Sequence, residues 1–394
     1  MLMPVAEALS RILALAPRMG TERVPLAAAE GRVLAEDAIA RRAQPPFAAS
    51  AMDGYAVRAT EASPGAALRL AGVSQAGRAH GEALPEGAAV RIFTGAPLPD
   101  GADAILIQED AEASGGTVRV REAPAAGAHI RPVGGDFQPG DRLTAPIRLA
   151  PRHLTLLAAM NLADVTVSRR PLIALIPTGD ELVEPGQSPG PDQIVSSNGA
   201  GLMALVRAAG AEARLCPIAR DTPESLRAAL AVARGADLIV TIGGASVGEH
   251  DLVAAVLGSE GLALDLYKVA MRPGKPLMAG RIGGAAMIGL PGNPVSAMVC
   301  GEIFLRPAIE AALGLPSGPR ARIPARLAHD LGPNGPREHY MRAQRLDGDR
   351  VRVFERQDSS LMAVLAAADC LVVRPPGTTA LAAGAPVDIV PLTG

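Results

Sequence analysis

Residues 172–182 read Leu172-Ile173-Ala174-Leu175-Ile176-Pro177-Thr178-Gly179-Asp180-Glu181-Leu182. Five consecutive apolar residues run straight into a polar, glycine-containing loop. An unbroken apolar run of this length fits a strand buried on both faces, as in a parallel sheet. Working outward, a helical stretch follows at Gly199–Ala209 and stops at Gly210. Then come a strand (Ala213–Ile218), a helix (Pro223–Ala233) and a strand (Leu238–Ile242). Further strands read near Leu262–Val269 and Ala286–Leu290, and a helix opens at Asn293-Pro294, with Asn at the cap and Pro at the first position. Strand–helix alternation of this kind predicts a three-layer α/β domain with a parallel sheet.

On either side the pattern changes. Residues 42–139 are dense in Gly and Pro, with short apolar runs such as Ala89–Phe93 and Ala104–Ile107 and frequent turn signals, so they read as β-rich. Their flanks, 22–41 and 140–168, carry helical patterns such as Pro151–Asn161, and pair into a linking unit with the β-rich piece inserted. The apolar start of the chain is an amphipathic helix with Val5, Leu9, Ile12 and Leu13 on one face. Beyond Pro316 alternation returns, as in Arg350–Phe354, with a turn at Pro375–Gly377 and a last strand at Val387–Val390. The expected division is therefore a linking domain (22–41 and 140–168), a β-rich insertion (42–139), an α/β domain (1–21 and 169–316) and a small C-terminal barrel or sandwich (317–394).

Composition bounds the function. The 394 residues suffice for about two or three domains at ~150 residues each. Lys+Arg 38 against Asp+Glu 40 leaves no basic surplus for nucleic acid or an acidic membrane surface. Aromatics are 2% with no Trp, which argues against base-stacking platforms. Cys216, Cys300 and Cys370 are scattered and odd in number, so neither a disulfide framework nor a zinc pair is indicated, and a reducing cytosol is expected. Arg11 interrupts the apolar start, which lacks the basic leader of a signal peptide, and no run reaches the ~18 apolar residues of a membrane span.

Four loops fall at carboxyl ends of the expected strands, where open α/β sheets bind ligands. They are Pro177–Leu182, Arg220–Thr222, Gly243–Gly248 with Asp251 just beyond, and Leu290–Ser296. Together they offer Glu181, Asp221 and Asp251 as hard oxygen donors and glycine backbone N–H groups for phosphate, the parts of a Mg²⁺-bridged phosphate site. An Asp near a helix start is, taken singly, more often a cap than a ligand. The two lysines of the chain, Lys268 and Lys275, lie seven residues apart beside Arg272, a candidate anion cluster. A competing motif overlaps the third loop. Gly244-Ala245-Ser246-Val247-Gly248 fits G-x-S-x-G, with Asp265 and then His329 or His339 downstream in the order of a serine hydrolase. Both histidines, however, fall in the C-terminal β segment. In the insertion, Asp53-Gly54 before Tyr55–Val57 and Phe93–Pro99 read as turns.

Taken in order, SAMDGYAV at Ser50, FTGAPLP at Phe93, PTGDEL at Pro177, GGASVGEHD at Gly243, PGKPL at Pro273 and GLPGNPVS at Gly289 resemble the molybdopterin molybdenumtransferase family, MoeA and the gephyrin E domain. The resemblance implies a homodimer of four-domain chains in the cytoplasm. It implies an enzyme that inserts molybdate into adenylylated molybdopterin with Mg²⁺ and releases AMP and molybdenum cofactor. A molybdopterin adenylyltransferase would be the upstream donor. The active cleft would form between the insertion of one subunit and the α/β and C-terminal domains of the other. By motif, Asp53 and Thr94 would face the cleft from the insertion. Glu181, Asp221 and Asp251 would line it, the last two as Mg²⁺ ligands. Gly243, Gly244, Ser246 and Gly248 would cradle the substrate, and Arg272, Lys275, Ser296, Arg342 and Ser359 would bind oxyanion. Lys275 also joins Asp53, Thr94 and the three carboxylates in the implied catalytic set. Arg272 stands where Lys is usual, Ala245 where Val is usual, and Gln357-Asp358-Ser359-Ser360 matches the family's Q-G-S-G only loosely. A non-catalytic scaffold of the same fold is the further alternative.

Overall fold

A computed structural model describes residues 2–244, 258 and 261–392. The central sheet has six strands in the order Glu212–Leu215, Leu172–Pro177, Leu238–Ile242, Ala285–Leu290, Met278–Ile282, Ala263–Tyr267. The first four run parallel. Sequence reading anticipates a wholly parallel sheet, and here the structure differs: the last two strands are antiparallel. The reason is the connection. Ile282 pairs directly with Ala285, leaving only Gly283 and Gly284 between strands, both at positive φ (54° and 88°). A two-residue turn of that geometry makes a hairpin, whereas a parallel partner needs a crossover of about a dozen residues.

The unbroken apolar run of the opening stretch is explained by burial on both faces. Ile173 and Leu175 enter one core, with Val240, Ile242, Ile288 and Leu290. Ala174 and Ile176 enter the other, with Ile239 and Met287. Each fully buried side chain of this size contributes roughly 1.5–3 kcal/mol. The first core is roofed by Asn198–Ala208, by the N-terminal helix Val5–Leu15, and by Pro294–Cys300, which continues through a π-helical turn (Gly301–Leu305) into Arg306–Ala312. The second is roofed by Pro223–Val232 through Leu226 and Ala229.

The 42–139 region forms a second six-stranded sheet, ordered Ala104–Ile107, Gly54–Val57, Ala88–Ile92, Ala67–Ser74, Thr117–Val120, Ala111–Ser114. Beside it, Thr21–Pro25, Asp164–Ser168, Val33–Leu34 and Ile147–Arg148 make a four-stranded sheet, with the helix Pro151–Ala159 packed on it. The helical reading therefore holds for Pro151–Ala159 and fails for 22–41, where β-branched and proline-bearing stretches form strands instead. Near the C-terminus, Glu338–Arg345, Arg350–Val353, Ile323–Leu327, Pro386–Pro391 and Cys370–Arg374 follow one another, and Glu338–Arg345 also pairs with Cys370–Arg374, closing a five-stranded barrel. Closure removes both edges. Met271–Arg272 adds to the barrel beside Glu338 and His339, tying it to the α/β unit. No helix among the described residues is long and apolar enough to cross a membrane.

Candidate active site

The described parts of all four loops border one cleft of about 1090 Å³, whose polar lining includes Glu181, Asp221, Asn198, Ser296 and Ser360. Each parallel strand delivers its loop from its carboxyl end. Gly243 shows how close the chains come: a Cβ there would lie 2.7 Å from the Thr178 carbonyl, and its φ is 100°. Its N–H donates to the Leu290 carbonyl at 3.0 Å, so Gly243 shapes the floor rather than offering a donor.

Asp221 precedes the helix Pro223–Val232, the position at which an aspartate commonly serves as a cap. Here the cap is its neighbour: the Thr222 side chain accepts from the Ser225 N–H at 3.2 Å. The Asp221 carboxylate is left for the cleft. Burial, with Asp180 and Glu181 close by, pushes its pKa above the usual carboxylate value. Uncompensated negative charge on hard oxygen donors fits a divalent cation. Glu181 folds back over Gly179, where a Cβ would fall 2.4 Å from its Oε2. Among the described residues no group of three His, Cys, Asp or Glu closes on a metal, so a cation here needs a donor beyond Glu181 and Asp221. Asp251, like Ser246 and Gly248, lies outside the described residues.

The two lysines differ in their contacts. Lys268 sits at positive φ with its ammonium 4.7 Å from the centre of the Tyr267 ring. Lys275 and Arg272 are exposed, and neither side chain has a hydrogen-bond or ion-pair partner among the described residues, although the Lys275 carbonyl accepts from the Val269 and Leu277 N–H groups. Pro276, next to Lys275, lines the cleft. Ser296 is buried in the first turn of Pro294–Cys300. Arg342 is 1% exposed. It donates from Nε to Gln357 Oε1 (3.2 Å) and from Nη1 to the Asp358 carbonyl (2.8 Å), while its Nη2 is buried without a partner. Its guanidinium thus points at the Gln357–Ser360 turn, not at open solvent. Ser359 engages through its backbone: its carbonyl accepts from Val295 N–H at 3.1 Å, locking the barrel turn onto the helix start. The next residue, Ser360, lines the cleft, and sequence reading missed it. It also missed Asn198, whose amide donates to the Gly292 carbonyl at 2.6 Å. The paired Ser-Asn before a helix start was the available signal.

Asp53 and Thr94 come together, but away from this cleft. Asp53 Oδ1 accepts from the Thr94 N–H (2.7 Å) and Oγ1 (2.9 Å), and these donors hold its carboxyl below the usual range. Neither residue is in the cleft lining. Among the described residues, which exclude Ser246, the hydrolase alternative finds no constellation. Asp265 meets Arg11, whose Nη1 donates to its carbonyl at 3.0 Å. His339 is buried in the barrel sheet between Arg272 and Arg374.

Comparison with known proteins gives a consistent picture. Residues 3–161 match the MoeA N-terminal region (domain I and II). Residues 174–311 match the probable molybdopterin binding domain, and 324–392 the MoeA C-terminal region (domain IV). The chain is 37% identical to molybdopterin molybdenumtransferase 2 of Mycobacterium tuberculosis, covering 94% of this chain and 95% of that one. It is 38% identical to molybdopterin molybdenumtransferase of Haemophilus influenzae, over 75% of this chain and 73% of that one. Two crystal structures of the molybdopterin biosynthesis MoeA protein from Pyrococcus horikoshii superpose with TM-score 0.86 over 100% of both chains, at 31% and 26% identity.

Proposed function

Because the chain belongs to the MoeA family of molybdopterin molybdenumtransferases, enzymes of molybdenum cofactor biosynthesis, we propose that its cleft joins molybdate to the dithiolene of adenylylated molybdopterin and releases AMP. The observation that carries the reading is the convergence of the loops at the strand ends on Asp221, whose carboxylate is freed from capping by Thr222. Nothing observed favours the hydrolase or the scaffold.

Mg²⁺ would be held by Asp221 and Asp251, with Glu181 near. Bound there, it would supply charge neutralisation and Lewis-acid polarisation at the pyrophosphate. The residues of the chain do the rest. Gly179 and Gly243 hold neighbouring loops together at the cleft floor, their N–H groups donating to the Ala219 and Leu290 carbonyls. Lys275 and Arg272, both exposed, would draw in the molybdate dianion, and the Ser296 hydroxyl would orient it. Holding the oxyanion beside the sulfurs replaces an encounter in solution with a positioned one. Asp53 and Thr94 would reach such a cleft only from a second copy, so the proposal includes a homodimer with insertion facing cleft across the interface. A molybdopterin adenylyltransferase would deliver the substrate, in the cytoplasm.

The test is AMP release from adenylylated molybdopterin by the purified protein, with and without molybdate and Mg²⁺. Release requiring both supports the reading. Asp221→Asn is expected to abolish the Mg²⁺-dependent release while leaving the circular dichroism spectrum unchanged. Wild-type turnover in that variant would remove Asp221 from the mechanism.

A further inference from the structure

Asp221 and Glu181 sit on different loops, yet act in one cleft only if those loops keep a fixed separation. Backbone pairing does part of this. Thr178 and Ala219 form a parallel bridge, and the Gly179 N–H donates to the Ala219 carbonyl at 3.0 Å. Past Gly179, on the side facing Asp221, that pairing stops, and a side chain takes over. Arg220 Nη1 donates to three carbonyls of the acidic loop: those of Gly179 (3.3 Å), Asp180 (3.0 Å) and Leu182 (2.8 Å). These carbonyls flank Glu181 on both sides. Arg220 is itself anchored, since its N–H donates to Ser225 Oγ at 2.9 Å, in the first turn of the helix Pro223–Val232. A second tie crosses beside it, from the Asp221 N–H to Asp180 Oδ1 at 3.0 Å.

We propose that Arg220 is a positioning residue, which sets the separation of Glu181 and Asp221 by clamping the Gly179–Leu182 loop against the start of the Pro223–Val232 helix. It acts through carbonyl oxygens. None of its hydrogen bonds among the described residues goes to a carboxylate, so the acidic groups stay available to a cation. One nitrogen makes all three contacts, so an ammonium, with its three donors, can substitute in part. The proposal rests on the reading of the cleft as a Mg²⁺-dependent site.

The experiment compares wild type, Arg220→Met and Arg220→Lys in two measurements. The first is the Mg²⁺ concentration for half-maximal AMP release. Arg220→Met is expected to raise it ~10-fold, the usual effect of losing a group that orients metal ligands, with the rate at saturating Mg²⁺ within about 3-fold of wild type. Arg220→Lys is expected to recover most of the loss. Arg220 is exposed, so thermal stability should be nearly equal in the three proteins. The second measurement is hydrogen exchange of the peptides spanning 178–183 and 219–222, which Arg220→Met should accelerate and Arg220→Lys should restore. A wild-type Mg²⁺ dependence in Arg220→Met overturns the proposal. Should wild type itself release AMP without Mg²⁺, the metal-dependent reading of the cleft fails. The exchange data then decide the clamp alone: unchanged protection in Arg220→Met overturns it, and lost protection sustains it.

Discussion

His339 gives a prediction whose size follows from its surroundings. It is 6% exposed, in the barrel strand Glu338–Arg345. Burial, with the arginines at 272, 342, 337 and 374 around it, pushes its pKa down from 6.5 to about 4. The folded barrel therefore holds a neutral imidazole where the unfolded chain takes a proton. For a depressed pKa the stability is complete above the unfolded value and drains away as the pH falls toward the folded one. Between pH 7 and pH 5 the unfolded form gains a factor of about 20–30 in relative weight, which is about 2 kcal/mol. His339→Gln keeps a neutral polar side chain and cannot titrate. The difference in unfolding free energy between wild type and His339→Gln should thus shrink by about 2 kcal/mol on going from pH 7 to pH 5. Fluorotyrosine labelling isolates the relevant unit during urea unfolding. Of the 3 tyrosines, Tyr340 reports the barrel, Tyr267 the α/β sheet and Tyr55 the insertion. The shrinkage should appear in the Tyr340 signal. A difference that stays constant with pH would mean that His339 takes a proton as readily when folded, and the burial argument would be wrong.

Gly179→Ala forces a Cβ to a φ of 144° and to 2.4 Å from the Glu181 carboxylate, so it should cost roughly 1–3 kcal/mol of stability and depress AMP release; calorimetry and turnover check both. Lys275→Met removes an exposed charge with no hydrogen bond or ion pair among the described residues, so stability should stay within about 0.5 kcal/mol while the molybdate concentration for half-maximal turnover rises; a stability loss instead would mark a structural lysine. The Asp53 carboxyl is held down by the Thr94 donors, so the clamp should survive as the pH falls through 3.8 and break below it; a Thr94 amide resonance that titrates above 3.8 would contradict the geometry.

Where one local rule governs, the sequence announces the structure. The doubly buried run Leu172–Ile176 is legible because each face of a central strand must meet a layer of helices, and every residue in it must then be apolar. The four polar loops are legible because strand ends in such sheets open on ligands. The mixed sheet is not announced by apolar runs, since Met278–Ile282 looks alike in either direction; the Gly283-Gly284 pair held the information. The side-chain directions of the lysine pair are not legible either. Proximity in sequence puts Lys268 and Lys275 together, but the left-handed backbone at Lys268 turns its side chain onto Tyr267. Arg342 differs again. Motif resemblance assigns it to oxyanion binding, whereas its guanidinium is covered by Gln357 and Asp358, and only Nη2 lacks a partner.

The same contacts explain why the cleft depends on parts distant in sequence. Its carboxylates come from two loops of the α/β sheet, stitched by one arginine. Its far wall, Ser360 and Met362, belongs to the segment between two barrel strands. That wall is fixed by backbone bonding, from Val295 N–H to the Ser359 carbonyl, and by the Met271–Arg272 strand that joins the barrel. Arg272 therefore cannot move relative to the barrel without breaking the ladder that also carries His339. A neutral His339 avoids adding a further positive charge beside four arginines, which would push the ladder apart where the strand bearing Arg272 enters. On this argument acid that charges His339 should loosen the Met271–Arg272 strand and lower barrel stability together rather than one alone.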